Sequence, residues 1–215
     1  MTARLIGWSL FVGLLTTLAY VSYFSGAKPA KDVAYRWDSS INGLVAYAIF
    51  FGVVMLLTYG LDRRSFLALR RPTSWGRAAG ISMLVIVAVA VAITAVTPFG
   101  SPGKEQGLVP ETFDSHRIAQ FAAWAAVVAL VGPIVEELTF RGVGYGLLER
   151  FGRTSAVILV GLAFGLIHGL ALGFPVIATF GIGLAYLRSR TDSVYPCILL
   201  HACFNAGVLA LGVAG

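Results

Sequence analysis

Residues 134–142 read IVEELTFRG, two adjacent glutamates and an arginine inside an otherwise apolar stretch. An ionised side chain at a bilayer centre costs about 2.5–3.5 kcal/mol on insertion scales, so such groups face a partner or a wet cavity. Two further apolar stretches carry polar side chains one helical turn apart. FGLIH at 164–168 sets His168 four residues after Phe164, and HACFN at 201–205 sets Asn205 four after His201. The chemistry open to buried carboxylates and imidazoles is proton transfer, either along a relay or ion pathway or to and from a bound water. Glu137 and Arg141 stand at i and i+4 with the acid first, the favourable order for a helix ion pair. Glu136 points about 100° away and has no equally placed cation, which leaves it as the carboxylate free for chemistry. Pro133, three residues earlier, removes a helix hydrogen bond and is expected to bend the helix near the site.

The elements that must position these groups are set by composition. The 215 residues are 58% hydrophobic and only 12% charged, with a mean hydropathy of +0.83, against about 25% charged residues in soluble domains. The chain reads as one integral membrane domain, 1–215. Seven apolar spans, at 5–24, 41–61, 79–98, 118–148, 154–171, 174–187 and 194–213, approach the length of about 20 residues that a transmembrane helix needs. Runs such as LVIVAVAVAITAV do not alternate as porin strands do. The expected fold is an all-α polytopic transmembrane bundle of about seven helices. A short sixth span and a long fourth set the range at six to eight.

Arginine and lysine in short loops orient such a bundle. Arg63, Arg64, Arg70, Arg71 and Arg77 follow the second span, whereas the loops 25–40 and 99–117 mix Lys28, Lys31, Arg36, Lys104 and Arg117 with acids. The arginine-rich loop is therefore expected in the cytoplasm. Alternation puts Arg150, Arg153, Arg188 and Arg190 there too, with a cytoplasmic N-terminus and an outer C-terminus. The formal charge of +6 is topogenic or faces anionic lipid, and nucleic acid is not an expected partner. Residues 1–27 read as a retained anchor rather than a signal peptide, because their apolar stretch is long and Lys28–Pro29 follows the candidate cleavage point. Cys197 and Cys203, six apart on one span, suggest neither a disulfide nor a CxxC site. Gly161, Gly165 and Gly169 form a small-residue face for close helix packing. GIGLAY at 181–186 follows no strand and is not a nucleotide loop.

Depth is counted from the turns. With the turn near 151–153 in the cytoplasm, Glu137 lies about as far back along one helix as His168 lies forward along the next. His201 follows Asp192 by nine residues, roughly 14 Å. These levels predict one buried polar site, in the cytoplasmic half or near the midplane, reached from the cytoplasm or laterally from the inner leaflet.

The three motifs, EELTFR at 136–141, FGLIH at 164–168 and HACFN at 201–205, fit EExxxR, FxxxH and HxxxN. In this order the chain resembles the CPBP family of intramembrane proteases, which includes the CAAX prenyl endopeptidases and bacteriocin-processing or self-immunity proteins. The resemblance covers about 118–213 and implies a catalytic core there. It implies an intramembrane endopeptidase that hydrolyses a peptide bond of a membrane-associated peptide or protein. In that role Glu136 is the general base, His168 its partner on the water, His201 and Asn205 the oxyanion donors, and Glu137 and Arg141 supporting residues. The family is often called metalloprotease. A catalytic zinc takes three protein ligands and a water, for which Glu136, His168 and His201 are the candidates. HExxH is absent, no two histidines are one turn apart, and His116 lies in a polar loop, so water activation without a metal is the expectation. The expected location is the bacterial cytoplasmic membrane. Two other classes stand beside this reading. A proton-coupled transporter would use the same residues as a relay, although no inverted repeat accompanies them. A non-catalytic immunity or binding protein would not need the motif set intact.

Overall fold

The protein is described by a computed structural model covering residues 1–26, 30–105, 107, 110 and 113–214, the side chains of 103, 104 and 214 excepted. Seven long helical runs order the described residues: α1 Thr2–Phe24, α2 Trp37–Leu57, α3 Trp75–Val96, α4 Ser115–Phe151, α5 Arg153–Leu166, α6 Phe174–Thr191 and α7 Tyr195–Ala214. No strand occurs among the described residues. Five of the runs, α1 to α4 and α7, are long and apolar enough to cross a membrane. The faces they turn outward are apolar, for example Leu10, Leu14 and Leu18 of α1 and Ile41, Val45 and Ile49 of α2. Inside are Glu137, Thr139, Arg141, Arg188 and His201, all buried. Apolar outside and polar inside is the arrangement that lipid favours and water does not. The chain is an integral membrane protein built as a polytopic helical bundle.

The arginine-bearing segments gather at one end. Thr73 N–H donates to Thr191 O at 3.1 Å and Val194 N–H to Ala68 O at 3.1 Å. Arg70 donates to Asp192 O at 2.9 Å and pairs with its carboxylate at 2.5 Å. The Arg188 guanidinium lies 5.0 Å from the Tyr145 ring. Segments 63–77, 145–153 and 188–195 thus share one side, as alternation from the arginine loops requires. At the other end the acids expected among the cations are paired. Arg117 bonds Asp32 at 3.1 Å and Asp114 at 2.7 Å, and Arg36 bonds Asp38 at 2.6 Å. Lys28 and Pro29, on which the retained-anchor reading turned, lie outside the described residues. α1 itself docks on the bundle, with Trp8 Nε1 donating to Thr139 O of α4 at 3.0 Å.

α5 departs from its expected bounds and stops at Leu166, five residues short of 171. His168 therefore lies in the turn beyond the helix and not on its last coil. The cause is Gly169, whose φ of +61° is left-handed and whose missing Cβ would stand 2.8 Å from the Ala19 backbone of α1. Its two companions in the glycine series pack on α6 as the small-residue pattern predicted. A Cβ on Gly161 would meet the Ile182 amide nitrogen at 2.5 Å, and one on Gly165 would meet Ala178 Cα at 3.1 Å. Because the obstacle at Gly161 is backbone, Gly161→Val is expected to cost about 3 kcal/mol or more. That is roughly 6–12 °C in melting temperature for a chain of this size, read by thermal unfolding in detergent. Gly207→Ala on α7, where nothing lies within 4 Å, should cost nothing.

Candidate active site

The site is built on α4, whose 37-residue run is widened twice by π turns, at Val127–Val131 and Leu138–Gly144. Such turns are frequent at functional sites. The first is tied to Pro133. Gly132 N–H bonds Val127 O across five residues, so the next carbonyl, Val128 O, would take its bond from residue 133, which as proline has no N–H. Asn205 of α7 fills the gap, donating from Nδ2 to Val128 O at 2.9 Å. The bend expected at Pro133 is thus a wide turn with an interhelical hydrogen bond.

Between the two wide turns lie the glutamates, and they face different partners. Glu137 is fully buried, as is Arg141, and the two are paired at 2.9 Å. The same carboxylate oxygen accepts from His201 Nδ1 at 2.9 Å. Arg141 also donates to Gly181 O of α6 at 2.8 Å, and its guanidinium stands 4.4 Å from the Phe164 ring. Arg141 therefore ties α4 to α5 and α6. Glu136 has 12% of its side chain exposed and no Arg or Lys partner among the described residues. Its Oε1 accepts from the Tyr47 hydroxyl of α2 at 2.7 Å, and its Oε2 is 3.9 Å from His201 Nε2.

The two histidines are held alike. His168 Nδ1 bonds Phe164 O at 2.7 Å, and His201 Nδ1 bonds the Glu137 carboxylate. A carbonyl and a carboxylate only accept, so in both rings Nδ1 carries the hydrogen and Nε2 is the nitrogen left for chemistry. Phe164 wedges both rings, at 4.8 Å from His168 and 5.6 Å from His201.

Tyr47, Glu136, His168, His201 and Asn205 all line one cavity of about 740 Å³. Its other walls come from Gly43 to Phe50 of α2, Ile93 and Thr97 at the end of α3, and Leu170 to Ile177 around the start of α6. All these belong to the half of the bundle away from the arginine segments. This corrects the expected access from the arginine side. The site sits at mid-depth, but its cavity extends toward the opposite end, where the chain after α5 lines it from Leu170 to Ile177.

Residues 118–207 match the family model of the Rce1-like type II CAAX prenyl endopeptidases. Over these residues the chain is similar to the CPBP family. The Bacillus subtilis protein YdiL, provisionally named a membrane peptidase, is 29% identical over 86 residues, 40% of this chain and 35% of that protein. The chain thus spans about a third of the length of this curated relative. No solved structure matches the chain.

Within residues 118–207 the structure brings Glu136, His168, His201 and Asn205 to one cavity and sets Glu137 and Arg141 directly behind it. Tyr47 on Glu136 and Trp8 on Thr139 O reach the site from outside these residues and were missed in the sequence. Both are aromatic residues in apolar helices, where nothing in the sequence marks a polar partner. The donor types at the site are ones that zinc also takes. Each imidazole gives its Nδ1–H to an acceptor and keeps Nε2, as metal-holding histidines do. In spacing, no three His, Cys, Asp or Glu side chains among the described residues are grouped to hold a metal ion.

Proposed function

We propose that the protein is an intramembrane endopeptidase that cleaves a peptide or protein substrate held at the membrane. The observation that carries this reading is the meeting of Glu136, His168, His201 and Asn205, from α4, the end of α5 and α7, around one cavity. Glu136 Oε2 takes a proton from a water that it shares with His168 Nε2, and the water oxygen attacks the scissile carbonyl carbon. The carbonyl π pair moves to oxygen. Asn205 spends one amide hydrogen on Val128 O and has the other for this oxyanion. His201 joins it from Nε2, which requires protons on both ring nitrogens and so a cation facing the Glu137 carboxylate. Collapse of the tetrahedral adduct breaks the C–N bond, and the leaving nitrogen takes the proton from Glu136. Glu137 and Arg141 do not touch the substrate in this scheme; they hold His201 and the helices.

With the arginine end in the cytoplasm, the cavity faces the outer half of the bilayer, and substrate reaches it from that side. A bacterial cytoplasmic membrane with the N-terminus inside is the matching location. The test is the set of new protein termini, read by mass spectrometry, in membranes of cells with and without the protein. Termini that appear with the wild type and vanish when Glu136 is replaced support proteolysis and name the substrate. Identical profiles beside proton flux in proteoliposomes would turn the reading to a transporter.

A further inference from the structure

Tyr47 lies on α2, outside residues 118–207, yet its hydroxyl is the hydrogen-bond donor to Glu136, at 2.7 Å on Oε1. Two observations make this contact a built feature. The ring has room only because residue 132, one turn before Glu136 on α4, is glycine. A Cβ there would stand 2.6 Å from the Tyr47 hydroxyl oxygen and 2.9 Å from Cζ. The ring is also fixed from behind, edge-on to Phe50 at 5.9 Å, which is in turn edge-on to Phe11 of α1 at 5.0 Å. α1, α2 and the small residue on α4 therefore converge on one hydroxyl.

We propose that Tyr47 is the positioning residue for the Glu136 carboxylate, fixing Oε1 so that Oε2 is the oxygen presented to the water and to His201. The inference rests on the protease reading of the same site. A carboxylate in a cavity of about 740 Å³ has no wall on its open side to hold it. Misplacing a reacting atom by 1 Å costs on the order of 100-fold in rate. Tyr47 holds one oxygen without adding a charge, so the other keeps its full acceptor strength.

The experiment uses the full chain in detergent and a synthetic peptide spanning a cleavage point found in the terminus comparison. Tyr47→Phe keeps the ring and its packing and removes only the donor. It is expected to lower kcat about ten- to 100-fold, the range of a hydrogen bond to a charged group, with KM within about twofold and an unchanged melting temperature. Gly132→Ala, which pushes the intact hydroxyl off Oε1, should lower kcat to a similar level. The two combined should do no more than the worse of them. A wild-type kcat in Tyr47→Phe, or a loss confined to KM, overturns the inference. Glu136→Ala separates this failure from that of the function itself. If Glu136→Ala is inactive and Tyr47→Phe is not, only the positioning role falls; if Glu136→Ala cleaves at the wild-type rate, the catalytic reading of this site falls with it.

Discussion

Replacing Glu136 with glutamine is expected to slow cleavage about 10²–10⁴-fold, the usual contribution of a general base, and to leave the melting temperature essentially where it was. The two halves of this expectation come from the same geometry. Among the described residues the Glu136 side chain accepts its hydrogen bond from a neutral phenol, Tyr47, and no Arg or Lys is paired with it. Glutamine keeps an oxygen for Tyr47 to donate to, so no ion and no donor is stranded. What it lacks is the basic oxygen 3.9 Å from His201 Nε2. Rates of terminus formation in matched membranes, with thermal unfolding of the purified variant, measure both halves. A variant that folds and cleaves at the wild-type rate would remove Glu136 from the mechanism.

The adjacent residue pair should behave in the opposite way. Arg141→Ala is expected to cost about 3–5 kcal/mol, because one partner of a buried ion pair is removed and the other charge stays behind. For a chain of this length that is roughly 6–20 °C in melting temperature. Glu137 is fully buried, and its Oε2 has no hydrogen-bond partner among the described residues, so without Arg141 the carboxylate keeps only His201. Gly181 O on α6 would lose its donor as well. Replacing both members, Glu137→Met with Arg141→Met, should unfold at a higher temperature than Arg141→Ala alone, since no buried charge remains. The double variant should still be a poor enzyme, because His201 Nδ1 has lost its acceptor. Unfolding of Arg141→Ala within about 2 °C of the wild type would show that the pair bears no structural weight.

The contrast between neighbouring glutamates was legible before the fold because it is local. An acid and an arginine at i and i+4 meet on any helix, so Glu137 was assigned by spacing alone. What holds Glu136 was not legible. Tyr47 is 89 residues away in the chain, in a run, VAYAIFF, whose aromatic character suits lipid as well as a partner. Helices were legible as apolar lengths, since lipid imposes both length and composition. Their ends were less so. Apolar residues continue past Leu166, and it is the seat of Gly169 against Ala19, a tertiary contact, that stops α5 and moves His168 into a turn. The direction of the cavity was missed for a related reason. Counting residues from a turn gives the depth of a side chain, whereas the direction of the cavity depends on which helix ends and connections line it.

The wide turn at Val127–Val131 has an evolutionary reading. A π turn accommodates one residue more than an α-helix needs for the same rise, so it behaves as an insertion that the helix has absorbed. Losing any one of those five residues would leave EELTFR, every charge and the hydropathy profile as they are. The wide turn would close to an ordinary α turn, and the preceding part of α4 would keep its phase relative to the glutamates. In comparisons among relatives, a one-residue gap at this place therefore weighs less than a gap inside the motif.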